Sequence, residues 1–175
     1  MCTTKRQSGV SLIELIIFIV IVSTAVAGVL SVMNVTTQHS ADPMLRKQAQ
    51  AIAESLLEEI ELQPFTYCDP DDANATTATS AAGCATTPEA MGPEAGETRY
   101  TTPQFDNVND YDGFTMTGIN DITNTPVGGL AGYTASVAIS PISATELQIN
   151  VTVSAGSDSL TLTGYRYRYA PNAVP

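Results

Sequence analysis

The residues with the clearest chemical meaning are Gly9, Val10 and Glu14, close to the N-terminus. Residues 1–9 form a short basic stretch that ends in glycine, as a removable leader does. Cleavage after Gly9 would leave a free amino group on Val10, four residues before Glu14. Glu14 is the only charged residue between Val10 and His39. A carboxylate inside a membrane span costs about 2.5–3.5 kcal/mol on insertion scales, so we expect Glu14 to have a partner.

The segment that carries Glu14 predicts a membrane-spanning helix followed by an amphipathic one. Residues 10–35 are long enough to cross an apolar core of about 30 Å as a helix. A cleaved signal peptide is the alternative, although no small-residue cleavage site follows the segment. Asp42 and Pro43 predict a kink or a restart, with Asp42 in the capping position, and Pro64 ends the second helix. Its apolar face consists of Leu45, Ala49, Ile52, Ala53, Leu56 and Ile60.

The C-terminal part of the chain predicts a small antiparallel sheet. Apolar residues alternate with polar or small ones over 133–139, over 147–153 and again from Leu160, which indicates three strands. Residues 154–158 predict a hairpin turn, and residues 140–146 a longer connection that contains Pro141. A change of phase at Gly164 predicts a bulge or bend. The apolar face of the second helix is expected to pack on this sheet.

The junction at Gly9 resembles that of a type IV prepilin, whose leader ends in glycine and whose mature chain carries glutamate at its fifth position. Three segments are similar to minor pilins of the mannose-sensitive haemagglutinin (MSHA) pilus, of the MshD kind. They are VSLIELIIFIVIV at 10–22, DPMLRKQAQAIAESLLEEI at 42–60 and LTGYRYRY at 162–169. The resemblance implies an α+β fold of the type IV pilin class, with a long N-terminal transmembrane and amphipathic helix packed on a small C-terminal antiparallel sheet.

This resemblance divides the chain into five segments. Residues 1–9 are the leader, 10–41 the transmembrane half of the helix and 42–64 its amphipathic periplasmic half. Residues 65–130 form a variable loop region with only short strands, for example around 113–117, and residues 131–175 form the β-meander.

The resemblance also implies how the N-terminus is processed and used. Prepilin peptidase would cut between Gly9 and Val10, and Val10 would be methylated. Glu14 would neutralise the N-terminal amine of a neighbouring subunit in a filament, since a buried carboxylate and a buried ammonium cost less together than alone. A Glu14 side chain at the level of the lipid headgroups is the alternative. The implied partners are prepilin peptidase, other pilin subunits, the pilus assembly platform and inner-membrane lipid.

The function implied by the resemblance is structural. The chain would be a minor pilin, inserted into or at the tip of an MSHA-type pilus used in surface attachment. The alternatives are a minor pseudopilin of a type II secretion system and a membrane-anchored binding module that never polymerises. No catalytic set or phosphate-binding loop is apparent, and the single histidine, His39, lies at the membrane boundary. We therefore expect no enzyme activity and no cofactor.

The charge distribution predicts the orientation and the partners. Lys5 and Arg6 precede the span, so the positive-inside rule places the N-terminus in the cytoplasm and the rest on the other side of the membrane. The resemblance implies that this membrane is the inner membrane, that the C-terminal part lies in the periplasm, and that the assembled chain lies in a pilus on the cell surface. The net charge is −11, from 7 basic and 18 acidic residues. Such a chain repels nucleic-acid phosphates, and no nucleic-acid partner is expected, although Arg166 and Arg168 form a local basic patch.

The three cysteines differ in their expected chemistry. Cys2 lies in the leader and would be removed with it. Cys68 and Cys84 form an even pair on the oxidising side of the membrane, which favours a disulfide over two unrelated thiols. Such a bridge would stabilise the loop region by about 3 kcal/mol in the chain-entropy model.

Two acidic regions are interpreted as ordinary surface chemistry. Four glutamates at 54, 58, 59 and 61 are read as a solvated helix face, and the alternative is pairing with Arg46 and Lys47 of another subunit. Residues 106–113 only superficially resemble a calcium loop, because Val108 and Ile119 would occupy its two end-ligand positions. Turn chemistry is expected here and no metal is predicted. The alternative is a cation held by oxygens of this loop together with those of Asp69, Asp71 and Asp72.

Overall fold

The computed structural model describes Gly9, residues 11–38 and residues 42–174 of the chain. Its contacts divide the protein into two compact units, Met1–Met44 and Leu45–Pro175. The helices are α1 (Leu12–Gln38) and α2 (Asp42–Leu62), with short 3-10 helices at Ala81–Gly83 and Val108–Tyr111. The strands are β1 (Thr115–Thr117), β2 (Tyr133–Ser143), β3 (Glu146–Ala155) and β4 (Asp158–Tyr167). A long apolar helix followed by an antiparallel sheet is the α+β arrangement that the sequence predicts.

Helix α1 is apolar on all sides. Its segment Leu12–Asn34 has a mean hydropathy of 2.8, and its side chains are exposed. Within the described ranges, α1 is the one helix long and apolar enough to cross a membrane. Two of its hydroxyls are satisfied locally: those of Ser23 and Thr24 donate to the carbonyls of Ile19 (2.7 Å) and Val20 (3.0 Å). A helix with these properties suits a membrane, where backbone and side-chain polar groups need partners within the protein.

Helix α2 buries the apolar face that its spacing predicts. It begins at Asp42, where the sequence predicts a kink or restart, although residues 39–41 and the capping side chain of Asp42 lie outside the described part. Leu45 and Leu57 pack at the edge of this face. The buried residues of α2 are Ala49, Ile52, Ala53, Leu56 and Ile60.

The sheet has four antiparallel strands in the order β1-β2-β3-β4. The predicted three-stranded meander is confirmed as β2, β3 and β4, and β1 adds a fourth strand because Thr115–Thr117 pair with residues 134–136 of β2. One face of the sheet forms a single core with α2. The buried sheet residues are Tyr133, Ala135, Val137, Ile139, Leu147, Ile149, Val151 and Val153.

The connection between β2 and β3 is shorter than predicted. The expectation of a long link over 140–146 was wrong: β2 continues through Pro141 to Ser143, with a register irregularity between these two residues. The N–H groups of alternate β2 residues point away from β3, and that of Ile139 donates to Asp112 Oδ1 (2.8 Å) instead of to a strand. Because β1 pairs only with residues 134–136, no strand needs an N–H from Pro141.

The structure also corrects the expectation of a bulge at Gly164. β4 pairs with β3 without a register shift, and Gly164 lies opposite Ile149. Leu160, Leu162, Gly164 and Arg166 all lie on the same face, so the side-chain phase does not change. A Cβ atom at Gly164 would lie 2.8 Å from Leu57 Cδ1 and would also collide with the Glu61 carboxylate. A larger residue here must displace the side chains of Leu57 and Glu61, which extend from α2 over the sheet.

The loop region contributes more to the interior than its composition predicts. Ala75 and Ala78 are buried in a second cluster with Cys68, and Val174 of the C-terminal tail packs on this cluster. The amide of Asn172 donates to the carbonyls of Ala75 (3.0 Å) and Ala78 (2.8 Å). The residues of the region 65–130 that extend the main core are Phe65, Val108, Tyr111, Met116 and Ile119.

Candidate functional site

The N-terminal junction lies on the exposed start of α1. Gly9 is exposed, and Val10 lies outside the described residues. Glu14 occupies the first turn of α1, where the carbonyl of Ser11 accepts hydrogen bonds from the N–H groups of Glu14 (3.0 Å) and Leu15 (3.1 Å). A carboxylate at this end of a helix is favoured by the helix dipole. Pairing of Glu14 with the amine of another subunit therefore stays a prediction, but its carboxylate is accessible for it.

A disulfide joins Cys68 and Cys84, across a sequence separation of 16. The carboxylate of Asp72 organises the same loop, because it accepts hydrogen bonds from the N–H groups of Ala85 (2.9 Å), Thr86 (2.7 Å) and Thr87 (2.9 Å). These backbone donors, with that of Thr87 the strongest, hold the pKa of Asp72 well below its usual range. The covalent and hydrogen-bonded links together fix the segment that carries the second cysteine.

Glu59 is not part of a solvated face. Its two carboxylate oxygens accept hydrogen bonds from Nε and Nη2 of Arg99, each at 2.7 Å, and one of them also accepts the Tyr111 hydroxyl at 2.8 Å. The pair is mostly buried, with 6% of the Arg99 side chain and 20% of the Glu59 side chain exposed. Burial alone lowers the pKa of Arg99, but the hydrogen bonds and charge of Glu59 more than offset this and raise it. For Glu59, both hypotheses were therefore wrong: its side chain is not on a solvated face, and its partner is Arg99 of the same chain.

The arginines of the segment 162–169 are engaged within the protein, whereas its tyrosines are exposed. Nε and Nη2 of Arg166 donate to the carbonyl of Gln63 (3.0 and 2.8 Å) and so cap the C-terminal end of α2. Arg168 donates to the carbonyl of Ala144 and stacks 3.7 Å from the centre of the Phe65 ring. The basic patch considered for nucleic acid is therefore used for packing.

Residues 106–113 show the expected turn chemistry. Oδ2 of Asp110 accepts the N–H groups of Asp106 (2.9 Å) and Asn107 (2.7 Å) at the start of the second 3-10 helix. Asp69 likewise accepts the N–H of Asp71 at 2.7 Å. The interpretation as turns is confirmed for these hydrogen bonds, but it accounts for only one of the two Asp110 oxygens.

Two groups of carboxylates lie close together in the loop region. One is formed by Glu89, Glu94 and Asp110, the other by Asp69, Glu97 and Asp106, and in each the candidate ligand oxygens lie within 4.8 Å of one another. The sequence pointed to Asp69 and the 106–113 loop as possible cation ligands, but not to Glu89, Glu94 and Glu97. The only signal for them was their frequency in the otherwise small-residue segment 88–97.

Comparison with known families gives one match. Residues 4–30, which include Gly9, Val10 and Glu14, match the prokaryotic N-terminal methylation motif. The match supports a type IV pilin-like or pseudopilin protein. No curated protein and no solved structure matches the chain. For a pilin-like chain the motif implies processing by prepilin peptidase and interaction with other pilin subunits, and with α1 it supports a single membrane anchor. Proteins of this kind are structural.

Proposed function

We propose that the protein is a minor pilin of an MSHA-type type IV pilus, and that the pilus serves in surface attachment. In this proposal the chain is cleaved between Gly9 and Val10, methylated on Val10 and inserted into or at the tip of the filament. The observation that carries the proposal is that α1 is exposed on all sides and has one carboxylate, Glu14, in its first turn, directly after the methylation-motif junction. The resemblance at 42–60 and 162–169 supports the MSHA assignment.

Assembly depends on the free-energy cost of two features of α1, its exposed apolar side chains and the charge of Glu14. The apolar side chains of α1 need lipid or other helices, and they find both in turn: first the inner membrane, then the helical core of a filament. Glu14 resists the transfer into a dry core unless its charge is matched there. The amino group of Val10 in a neighbouring subunit supplies that match, so assembly follows processing and not the reverse.

The test replaces Glu14 by glutamine, which keeps the shape and removes the charge. Membrane insertion should be unchanged, whereas the neighbour's ammonium loses its partner. Breaking a buried pair costs about 3–5 kcal/mol, which corresponds to a fall of roughly a hundredfold or more in incorporation. The measurement is the ratio of the protein in sheared pili to that in membranes. Ser23→Ala is the matched control, because the Ser23 hydroxyl donates to the carbonyl of Ile19 in its own helix.

An unchanged ratio for Glu14→Gln, with cleavage intact, would contradict the pairing within a filament shaft. Immuno-electron microscopy then separates a subunit at the tip, which has no neighbour ahead of it, from a chain that never polymerises. The second measurement is the intact mass of the purified protein. A chain that begins at a methylated Val10 supports the pilin, because a membrane anchor that never polymerises has no need of this processing.

A deletion strain distinguishes the pilus from the secretion system. Loss of attachment with normal protein secretion supports the minor pilin, and periplasmic accumulation of secreted proteins with normal attachment supports a minor pseudopilin instead.

A further inference from the structure

We propose that the loop region binds one calcium ion between the carboxylates of Glu89, Glu94 and Asp110. One oxygen from each residue lies within 4.8 Å of the others. Calcium binds oxygen at about 2.3–2.6 Å, so two ligands on opposite sides of the ion are separated by about 4.8 Å. A single ion placed among these three carboxylates can therefore contact all of them without rearrangement of the backbone.

The buried oxygens of this group lack partners, which distinguishes it from a surface cluster of acids. Asp110 is fully buried, and its Oδ1 atom has no hydrogen-bond partner, although its Oδ2 atom has two. Both carboxylate oxygens of Glu89 are also buried and without a partner. An unpaired buried carboxylate is costly, and its cost is removed by a cation or by protonation. The orphaned oxygens thus point to a ligand that the protein itself does not provide.

Among the described residues, Arg99 forms its ion pair with Glu59 and not with these carboxylates. Arg168 does interact electrostatically with Glu89. It neutralises the group only in part, because its guanidinium stacks on Phe65 and donates to a backbone carbonyl instead of to a carboxylate. The second group, Asp69, Glu97 and Asp106, adds further negative charge nearby. The resulting potential attracts a divalent cation.

Protonation is the other way to remove the cost of burying these carboxylates. Burial, and then the charge of Asp110, raise the pKa of Glu89 to about 10. Burial also raises the pKa of Asp110 to about 8, although the backbone N–H groups of Asn107 and Asp106 oppose the rise. Without a cation, these groups would share protons at neutral pH. This protonated cluster is the competing explanation that the experiment must exclude.

The ligands come from two loop segments that the backbone already holds together. The N–H of Gly92 donates to the carbonyl of Asn109 at 3.0 Å, which ties the segment with Glu89 and Glu94 to the 3-10 helix that carries Asp110. The N–H of Glu89 itself donates to the carbonyl of Tyr67 at 3.0 Å. Calcium suits such a site better than magnesium does, because magnesium retains several waters and requires a tighter octahedron. The ion would cross-link the two segments and stiffen the loop region.

The experiment uses the full chain in detergent, freed of metal with a chelator and titrated with calcium chloride by calorimetry. We expect one saturable site. Glu89→Gln removes one ligand charge and should weaken calcium binding by roughly tenfold or more. Asp71→Asn is the matched control: it removes the same charge from an exposed neighbour outside the carboxylate group and should leave the affinity unchanged.

Thermal unfolding gives a second readout that differs between the two conditions. In chelator, Glu89→Gln should melt close to the wild type, because a protonated Glu89 and a glutamine are both uncharged. In saturating calcium the wild type should melt at the higher temperature, because only it gains the full stabilisation from binding. Absence of saturable binding up to about 10 mM calcium, roughly tenfold above the weak end of extracellular sites at about 1 mM, would overturn the proposal. The proposal would also be overturned if Glu89→Gln and the wild type bound calcium with equal affinity. Neither outcome depends on filament assembly.

Discussion

Replacing Arg99 by methionine tests the main polar contact that links the loop region to α2. Methionine keeps much of the apolar stem of arginine but removes the guanidinium. The substitution deletes both 2.7 Å hydrogen bonds to Glu59 and the longer one to the carbonyl of Asn120 (3.2 Å). It also removes the cation from its position 5.3 Å from the centre of the Tyr100 ring. Glu59 keeps its hydrogen bond from Tyr111 but loses its counter-ion.

The magnitude follows from the burial of the pair. Breaking a buried ion pair by removing one partner costs about 3–5 kcal/mol. Since 20% of the Glu59 side chain is exposed and one hydrogen bond survives, we expect the lower end of that range. A loss of about 3 kcal/mol lowers the melting temperature of a unit of this size by roughly 10 °C.

The assay is urea unfolding of the full chain in detergent, followed by the near-ultraviolet circular dichroism of its tyrosines, because the protein has 7 tyrosines and no tryptophan. Arg46→Met is the matched control: it makes the same change at an exposed position of α2 and should cost less than about 0.5 kcal/mol. The double variant Glu59→Leu with Arg99→Met should recover part of the loss, since no charge is left unpaired. A loss below about 1 kcal/mol for Arg99→Met would refute the reasoning.

Three further predictions concern the disulfide, the processing site and the close approach of α2 to the sheet. Cys68 and Cys84 should resist alkylation in protein taken from the periplasm until a reductant is added, and rapid labelling without reductant would contradict the bridge. Gly9→Val should retain the leader, because a β-branched side chain replaces a residue that has none, so a chain of mature length in that variant would exclude the prepilin interpretation. Gly164→Val should destabilise the sheet unit by about 1–3 kcal/mol in urea through overpacking. Gly132→Val, where a Cβ meets nothing within 4 Å, should be close to neutral, and equal losses for the two variants would argue against a steric cause.

The elements with strong periodicity could be predicted from the sequence alone. The buried face of α2 and the alternation in β2, β3 and β4 are recorded directly in residue spacing, because one face of each element meets the core. The N-terminal junction is equally local: Gly9 and Glu14 lie within six positions, and their meaning does not depend on the fold.

Contacts between distant parts of the chain were decided only by the tertiary structure. Glu59 and Arg99 are 40 residues apart, and no pattern along the sequence could show that α2 and the loop region bring them to 2.7 Å. Gly164 was predicted to mark a bulge or bend, because the side chains that limit the space above it, Leu57 and Glu61, belong to α2 and are distant in the sequence. Glu89 and Glu94 looked like loop acids until the fold placed them beside Asp110. Spacing reveals which face of an element is buried, but the partner that each polar side chain meets there is set by how the elements pack.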